Sequence, residues 1–243
     1  LAAYSWNLVA NYAEAMEVEA IEMLSSASAR RVLFRCQNRF QPEGEGELWL
    51  DEGLLLEDPA VRVRATSLDH GVTSLGFCAE EPMHVNVWKN RLEEMNLLVG
   101  PWLGKFKDAI MAGKPDDTPI RAWRRGLNTI ETPEFSLGEL REQIVRIVPG
   151  QRVGYVVDVR YTEANVERIV ALVKGADHLF IESPFLDEDA EQAATKNHLT
   201  ARQAGTIARL AGVKALTVFH FSPRYTDRES VLRAEALAAF EGR

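Results

Sequence analysis

Three short hydrophobic runs near the C-terminus each end in a residue that can bind metal or transfer protons. Residues 153–158 end at Asp158, residues 178–182 end at Glu182, and residues 215–220 end at His220. Helix-like sequence separates the runs, and the resulting strand–helix–strand repeat is typical of an α/β sheet. Because ligands gather beyond the carboxyl ends of strands in such sheets, the pattern predicts an active-site rim at these three positions.

The rest of the C-terminal region supports this prediction. His198 lies between the second and third runs and joins the candidate site. Residues 163–174 and 228–240 are predicted helices. Thr200 and Gln203 have the spacing of a capping box, which predicts a helix from there to Ala211.

The first 80 residues give a more mixed pattern. Residues 1–24 are predicted to form a helix, residues 41–47 a turn rich in Gly and Pro, and residues 48–56 a hairpin-like strand pair. Residues 61–66 alternate with period two and predict a half-buried strand. That strand leads to His70, a weaker candidate site residue beside a glycine at a strand end.

Residues 81–150 interrupt the two sheet-like regions and are predicted to form an inserted arm. Six prolines punctuate the segment from 80 to 150, and residues 86–97 and 101–111 are predicted helices. The part from 84 to 125 contains eight Lys and Arg residues against five Asp and Glu residues, in a chain of net charge −8. Such a basic segment either contacts phosphates or forms a solvated helical face.

Composition indicates a globular protein of the cytoplasm. The chain has 243 residues, of which 46% are hydrophobic and 26% charged. Because no apolar run approaches the roughly 18 residues needed to cross a bilayer, no membrane span is expected. The two cysteines, Cys36 and Cys78, are too few for a disulfide framework and fit a reducing compartment.

The candidate residues suit metal-dependent hydrolysis. Histidine nitrogens and carboxylate oxygens are zinc ligands, so His70, Asp158 and His220 can hold Zn²⁺, with the carboxylate bridging two ions. His198 is a candidate general acid, and Glu182 can orient it. Taken alone, these spacings also allow ordinary surface or hydrogen-bonded residues.

Five short motifs resemble the ribonuclease Z (tRNA 3′-endonuclease) branch of the metallo-β-lactamase fold. They are Leu-Asp-His-Gly at 68–71, Val-Asp-Val-Arg at 157–160, Ile-Glu-Ser-Pro-Phe at 181–185, Asn-His-Leu-Thr-Ala-Arg-Gln-Ala at 197–204 and His-Phe-Ser-Pro-Arg-Tyr at 220–225. The resemblance covers roughly residues 45 to 235. It implies the C-terminal portion of an αββα sandwich, as an N-terminally incomplete domain over residues 1–243 that contains the inserted arm. It also implies two zinc ions in the complete protein and cleavage of precursor tRNA 3′ trailers by a homodimer.

The resemblance also implies roles for individual residues. His70 and His220 match metal ligands, Asp158 matches the bridging ligand, and His198 matches the proton donor. Ser222 and Arg224 lie where that family contacts phosphate. The inserted arm corresponds to the family's tRNA-binding exosite, whose Gly-Pro element is matched by Gly100 and Pro101.

Two features depart from the family pattern. The motif His-x-His-x-Asp-His is not formed by any of the five histidines, and the first residue is Leu rather than Met. We therefore expect this chain to be the C-terminal part of a longer protein. In addition, Val159 replaces the family's Thr after the bridging Asp, which removes a hydroxyl that could hydrogen-bond near the metal.

Two other functions fit the same sequence. A related hydrolase of a small ester or phosphodiester would use the inserted arm as a lid or dimer element, with Trp88, Trp102 and Trp123 packed rather than contacting RNA. A metal-poor scaffold would keep the fold without the reaction.

Overall fold

The computed structural model describes residues 16–127 and 129–243, which form two compact units. The first unit contains the described residues up to Leu55, together with Val63–Cys78 and Gly154–Arg243. The second contains Leu56–Arg62 and Ala79–Val153. Strands and helices occur in both, which confirms the predicted α/β class.

The strands are numbered in chain order. They are β1 (Glu17–Met23), β2 (Ser28–Arg35), β3 (Pro42–Trp49), β4 (Leu54–Glu57), β5 (Arg62–Asp69), β6 (Thr73–Glu80), β7 (Met83–Val87), β8 (Pro119–Arg121), β9 (Arg124–Arg125), β10 (Ile130–Glu131), β11 (Glu134–Ser136), β12 (Val145–Pro149), β13 (Arg152–Val156), β14 (His178–Glu182) and β15 (Leu216–Phe219). The helices are α1 (Lys89–Glu94), α2 (Trp102–Met111), α3 (Leu137–Ile144), α4 (Glu163–Val173), α5 (Ala190–Thr195), α6 (Ala201–Ala211) and α7 (Glu229–Phe240).

A six-stranded sheet with the order β15-β14-β13-β6-β5-β4 organises the first unit. β14 and β15 are parallel, and Glu182 pairs with Phe219 in their register. Apolar side chains of the strands pack against α4 and α6, with Val156, Leu179, Ile181, Ile169 and Ile207 fully buried. The three hydrophobic runs predicted from the sequence are therefore strands, as expected.

Helix α6 begins and ends as its sequence predicts. The Thr200 hydroxyl accepts a hydrogen bond from the Gln203 backbone N–H, and the Gln203 side chain accepts one from Thr200, which forms a capping box. Gly212 ends the helix in the left-handed conformation (φ 63°). This boundary matters because His198 lies two residues before the cap.

The predicted helix over residues 1–24 is wrong where the structure describes it, and residues 1–15 lie outside the described part. Residues 17–23 form β1, which pairs antiparallel with β2. The sequence Glu-Val-Glu-Ala-Ile-Glu-Met has partial period-two alternation, and cross-strand ion pairs join Glu17 to Arg35 and Glu22 to Arg30. Such pairs between opposite residues favour a sheet.

The predicted turn at 41–47 and hairpin at 48–56 are also wrong. β3 begins at Pro42 and pairs with β2, whereas β4 belongs to the six-stranded sheet. Proline is tolerated at the first residue of a strand, and an irregularity in the β2–β3 register accompanies Gly44 (φ 65°). The glycines that indicated a turn therefore lie within an edge strand.

The described residues of the second unit form short two-stranded ribbons and three helices. β7 pairs with β12, β8 with β11, and β9 with β10. Its core contains Trp102, Phe106, Leu137, Leu140 and Ile144, all buried. α1 and α2 lie within the predicted helical ranges. Within the described parts of the chain, no helix is both long enough and apolar enough to cross a membrane.

Close packing of α6 on α7 gives a testable prediction for stability. A Cβ added at Gly205 would lie 2.1 Å from the Ala236 carbonyl oxygen, which is backbone and cannot move aside cheaply. We expect Gly205→Ala to lower the free energy of unfolding by about 1–3 kcal/mol, as overpacking does. Urea denaturation followed by circular dichroism measures this change.

Gly104 in α2 is the matched control, because a Cβ there would meet no atom within 4 Å. Gly104→Ala should raise stability by about 0.5–1 kcal/mol through helix propensity alone. Equal effects of the two substitutions would contradict the packing account.

Candidate active site

The carboxylate of Glu182 lies at the end of β14 and connects three other segments of the chain. It is fully buried. Oε2 accepts hydrogen bonds from the Asp158 backbone N–H at 2.7 Å, from Nδ1 of His198 at 3.0 Å and from Nδ1 of His220 at 3.2 Å. Oε1 accepts one from the Leu199 backbone N–H at 3.1 Å. All of these segments therefore meet at one side chain.

Unusual backbone conformations place two of these residues. Asp158 follows β13 with φ 55°, and His220 follows β15 with φ 62°. Left-handed conformations are costly for residues other than glycine, although Asp, Asn and His adopt them more readily than most. Because such conformations cluster at functional sites, these two strand ends are candidates for function on backbone geometry alone.

Burial and hydrogen bonding act in opposite directions on Glu182. Burial alone raises the pKa of its carboxyl, but the hydrogen bond and charge of His198 and the backbone N–H groups of Asp158 and Leu199 outweigh burial, so that the pKa lies below its ordinary value. The pKa of His198 is raised, first by its hydrogen bond to Glu182, against an opposing effect of burial. The pair therefore favours a carboxylate beside an imidazolium.

The same residues form a candidate metal centre. One potential ligand atom from each of Asp158, Glu182, His198 and His220 lies within 4.8 Å of the others. Nδ1 of both histidines points to Glu182, which leaves Nε2 as the nitrogen available to another partner. A carboxylate that orients a histidine through one ring nitrogen while the other ligates metal is a recurrent zinc arrangement. The donor set fits Zn²⁺.

His70 reaches this cluster from the end of β5. Its ring centroid lies 4.6 Å from that of His198, and its Nδ1 lies 2.8 Å from the Asn197 carbonyl oxygen. Buried Asn165 holds the preceding residue, accepting from the Asp69 N–H and donating to the Asp69 carbonyl. The structure thus brings together the five residues that the sequence suggested for metal binding and proton transfer.

Val159, which stands where the resembling family has Thr, points into the core. Its side chain is fully buried among apolar residues. Its backbone N–H lies 3.4 Å from Oε1 of Glu182. The backbone N–H of residue 159 is therefore directed at the Glu182 carboxylate, and this does not depend on which side chain residue 159 carries.

Ser222 and Arg224 lie just beyond His220, in and beside the short turn Pro223–Tyr225. The Ser222 hydroxyl accepts a hydrogen bond from the Arg224 backbone N–H at 3.4 Å. The Arg224 guanidinium pairs with Asp189 at 3.1 Å. The Tyr225 hydroxyl donates to the same carboxylate, and this bond, followed by the charge of Arg224, holds the pKa of Asp189 below its ordinary value.

Gly100 and Pro101 belong to the second unit and immediately precede α2. A Cβ at Gly100 would lie 2.5 Å from the Trp123 ring, so only glycine lets that ring lie against the backbone. A cavity of about 570 Å³ is lined here by Pro101, Trp102 and Trp123 with the charged residues Lys105, Arg121 and Glu134, among others.

Sequence analysis missed several residues that shape the site. Asn197, Asn165 and Asp189 contact or hold the candidate residues, yet none was selected. Asn197 carried a weak signal, because Asn after a helix often adopts the left-handed conformation, and its φ is 62°. The other two depend on partners 36 or more positions away.

Comparison with known proteins identifies relatives of this chain. No family model matches it. The chain is 32% identical over 208 residues to ribonuclease Z of Deinococcus radiodurans, covering 82% of this chain and 58% of that protein. It is 35% identical over 193 residues to ribonuclease Z of Thermobifida fusca, covering 79% and 53%. The resemblance to ribonuclease Z is thus confirmed, and the chain spans a little over half the length of these curated relatives.

Two solved structures show weaker likeness. The short form of human tRNase Z (ELAC1) matches with a TM-score of 0.40 and 20% identity, covering 71% of this chain and 41% of that one. The metallo-β-lactamase fold protein YhfI of Bacillus subtilis matches with a TM-score of 0.31 and 22% identity, covering 51% and 48%.

The Glu182–His198 pair predicts a pH dependence of stability for the metal-free protein. A raised pKa of His198 contributes stability that is complete below the ordinary histidine value of 6.5 and is lost as pH rises through the folded value. A lowered pKa of Glu182 contributes stability that is complete above its ordinary value of 4.5 and is lost as pH falls through the folded value. The difference in free energy of unfolding between wild type and His198→Gln should therefore be largest between about pH 4.5 and 6.5.

Urea denaturation from pH 4 to 9 in the presence of a chelator measures this difference. His84→Gln is the control, because His84 also contacts a glutamate, Glu81, at 2.8 Å, but on an exposed surface where solvent screens the interaction. A difference for His198→Gln that does not decline toward high pH would contradict the assigned charges.

Proposed function

We propose that this chain carries part of the active centre of a zinc-dependent phosphodiesterase that cleaves the 3′ trailer from precursor tRNA. The observation that supports this most directly is the convergence of Asp158, His198 and His220 on the buried Glu182 carboxylate. The ring of His70 lies beside that of His198, with the ring centroids 4.6 Å apart. Sequence similarity to ribonuclease Z over about four fifths of the chain supports the choice of substrate.

His70, Asp158 and His220 are the proposed ligands for zinc. The resemblance to ribonuclease Z implies two zinc ions in the full site, and Asp158 would be the ligand that helps to hold both. Zinc bound there would lower the pKa of a coordinated water and polarise the phosphodiester. Asp158 and His220 are each a little less than half exposed, so both can reach a group that enters from solvent.

His198 is the proposed general acid. Its Nδ1 is fixed on Glu182, so a proton on Nε2 can be donated to the leaving oxygen of the phosphodiester. The raised pKa of His198 keeps a larger fraction of the imidazole protonated near neutral pH. Glu182 acts through His198 by fixing its orientation and stabilising its charge.

The inserted arm, residues 81–150, is the proposed tRNA-binding element. Its segment from 84 to 125 is basic, although the chain as a whole is acidic, and phosphate contacts are the main source of affinity for RNA. Pro101, which follows Gly100, lines a cavity together with the exposed residues Lys105 and Arg121. Ser222 and Arg224 are proposed to contact phosphate near the reaction, with the phosphate competing with Asp189 for the guanidinium.

The proposed setting is a homodimer in the cytoplasm. Neither of the described residues Cys36 and Cys78 forms a disulfide bond, in keeping with a reducing compartment. The dimer rests on the resemblance to ribonuclease Z.

The function is tested by measuring zinc content and hydrolysis with the protein produced at its natural length from its own gene. We expect cleavage of a precursor tRNA on the 3′ side of the acceptor stem. His198→Ala should retain zinc and lose about 10²–10⁴-fold in cleavage rate, the usual contribution of general acid catalysis. Asp158→Ala should lose both zinc and cleavage.

His178→Ala is the matched control, since His178 lies at the opposite end of β14 and contacts Thr217 rather than Glu182. It should retain zinc and activity. Turnover of a small phosphodiester without tRNA cleavage would instead support the related small-substrate hydrolase. A protein with neither zinc nor turnover would be the non-catalytic scaffold, and the proposal would be wrong.

A further inference from the structure

Asn197 binds residue 70 at two points, across 127 positions of sequence. Its backbone carbonyl lies 2.8 Å from Nδ1 of His70, and its side-chain Nδ2 donates to the His70 carbonyl at 3.1 Å. One hydrogen bond thus holds the ring of His70 and the other holds its main chain. Together they fix both the position and the rotation of the imidazole.

The first of these bonds selects the tautomer of His70. A carbonyl oxygen only accepts hydrogen bonds, so Nδ1 of His70 must carry the proton. In the neutral imidazole, Nε2 then keeps its lone pair and is the nitrogen able to bind a metal. Without this bond, the ring could place its proton on either nitrogen, and part of the population would present N–H where a lone pair is needed.

The backbone around Asn197 is fitted to this contact. Asn197 adopts the left-handed conformation, with φ 62°, which asparagine tolerates better than most residues. On the other side, Gly71 has φ 86°, and a Cβ there would lie 2.7 Å from Nδ2 of Asn197. The asparagine amide therefore occupies space that only a glycine at position 71 leaves open.

Asn197 also links two candidate site residues through the chain itself. The next residue is His198, whose Nδ1 is held by Glu182 and whose ring lies 4.6 Å from that of His70. A shift of the Asn197 peptide would move the acceptor of His70 and the backbone of His198 together.

We propose that Asn197 is a positioning residue that sets the tautomer and orientation of His70 and couples it to His198. The tautomer of His70 does not depend on the proposed function. The effect on metal binding does rest on the proposed function, because there zinc is the group that His70 binds.

The test uses two variants and one matched control. Asn197→Asp keeps a residue that tolerates the left-handed backbone but replaces the amide donor with a carboxylate that repels the His70 carbonyl. Asn197→Gly keeps the left-handed backbone and removes only the amide. Asn96→Asp is the control, since Asn96 is also left-handed, with φ 56°, and its carbonyl accepts from the Arg125 N–H in the second unit.

Two quantities are measured for each protein. Nitrogen-15 NMR of labelled histidines in the metal-free chain reports which ring nitrogen of His70 carries the proton, and competition with a chelator reports zinc affinity. Wild type and Asn96→Asp should show Nδ1–H at His70. Asn197→Asp keeps the carbonyl that faces Nδ1 of His70 but loses the Nδ2 hydrogen bond that holds the His70 main chain, so His70 can shift away from that carbonyl. This variant should therefore show a mixture of tautomers and an affinity for zinc about 10- to 100-fold weaker, as when a partner of a metal-binding histidine is removed. Asn197→Gly should show a proportion of tautomers and a zinc affinity between those of wild type and Asn197→Asp.

Each outcome decides the proposal. An unchanged tautomer and affinity in both Asn197 variants would overturn it, as would a wild-type His70 protonated at Nε2. A wild type that binds no zinc, but whose His70 tautomer changes with Asn197, would contradict the proposed function and leave the positioning role intact. If circular dichroism shows that Asn197→Asp is unfolded, Asn197→Gly alone makes the decision.

Discussion

The hydrogen bonds accepted by the buried carboxylate of Glu182 determine the geometry of the candidate site. A buried charge is costly unless it is paired and hydrogen-bonded. Here, the backbone N–H groups of Asp158 and Leu199 and the rings of His198 and His220 supply that compensation. Because one carboxylate accepts hydrogen bonds from several segments of the chain, these segments are constrained to move together. The site is therefore organised by an acid that contacts the segments carrying Asp158, His198 and His220.

The six-stranded sheet explains why those loops meet at Glu182. β14 and β15 are parallel, and their register pairs Glu182 with Phe219, the residue before His220. The polar residues that follow neighbouring strands therefore lie at the same edge. Left-handed backbone at Asp158 and His220 then turns the chain as it leaves the sheet. Packing in the core fixes the positions of the strands, and the ends of the strands place the side chains of the candidate site.

Local sequence patterns were sufficient to predict the strands and helices of the C-terminal part of the fold. They were insufficient to predict β1 and β3 in the N-terminal part. Buried strands such as β14 are continuous apolar runs, and Thr200 with Gln203 marks a helix start by a local mechanism. In contrast, β1 is rich in glutamate, and β3 is rich in glutamate and glycine. They are stabilised by cross-strand pairing with β2, including ion pairs with Arg30 and Arg35. Such pairing depends on residues distant in sequence, which local patterns do not show.

The same distinction applies to the site. Glu182 ends a recognisable strand, His220 follows another, and His198 lies just before a recognisable helix start, so the sequence suggested them. Asn197 contributes through its hydrogen bond with His70, which is distant in sequence. Asp189 contributes through its contacts with Arg224 and Tyr225, which are also distant. These contacts exist only in the folded chain.

Hydrogen exchange at individual amides tests the organising role of Glu182 most directly. The amides of Asp158 and Leu199 lie outside the strands, yet both donate to Glu182. They should exchange as slowly as the Leu179 amide, which is bonded to the Ala215 carbonyl at the other end of β14. In Glu182→Gln they should exchange much faster, while Leu179 stays protected. Fast exchange of both amides in the wild type, at the rate of an exposed loop, would contradict the account.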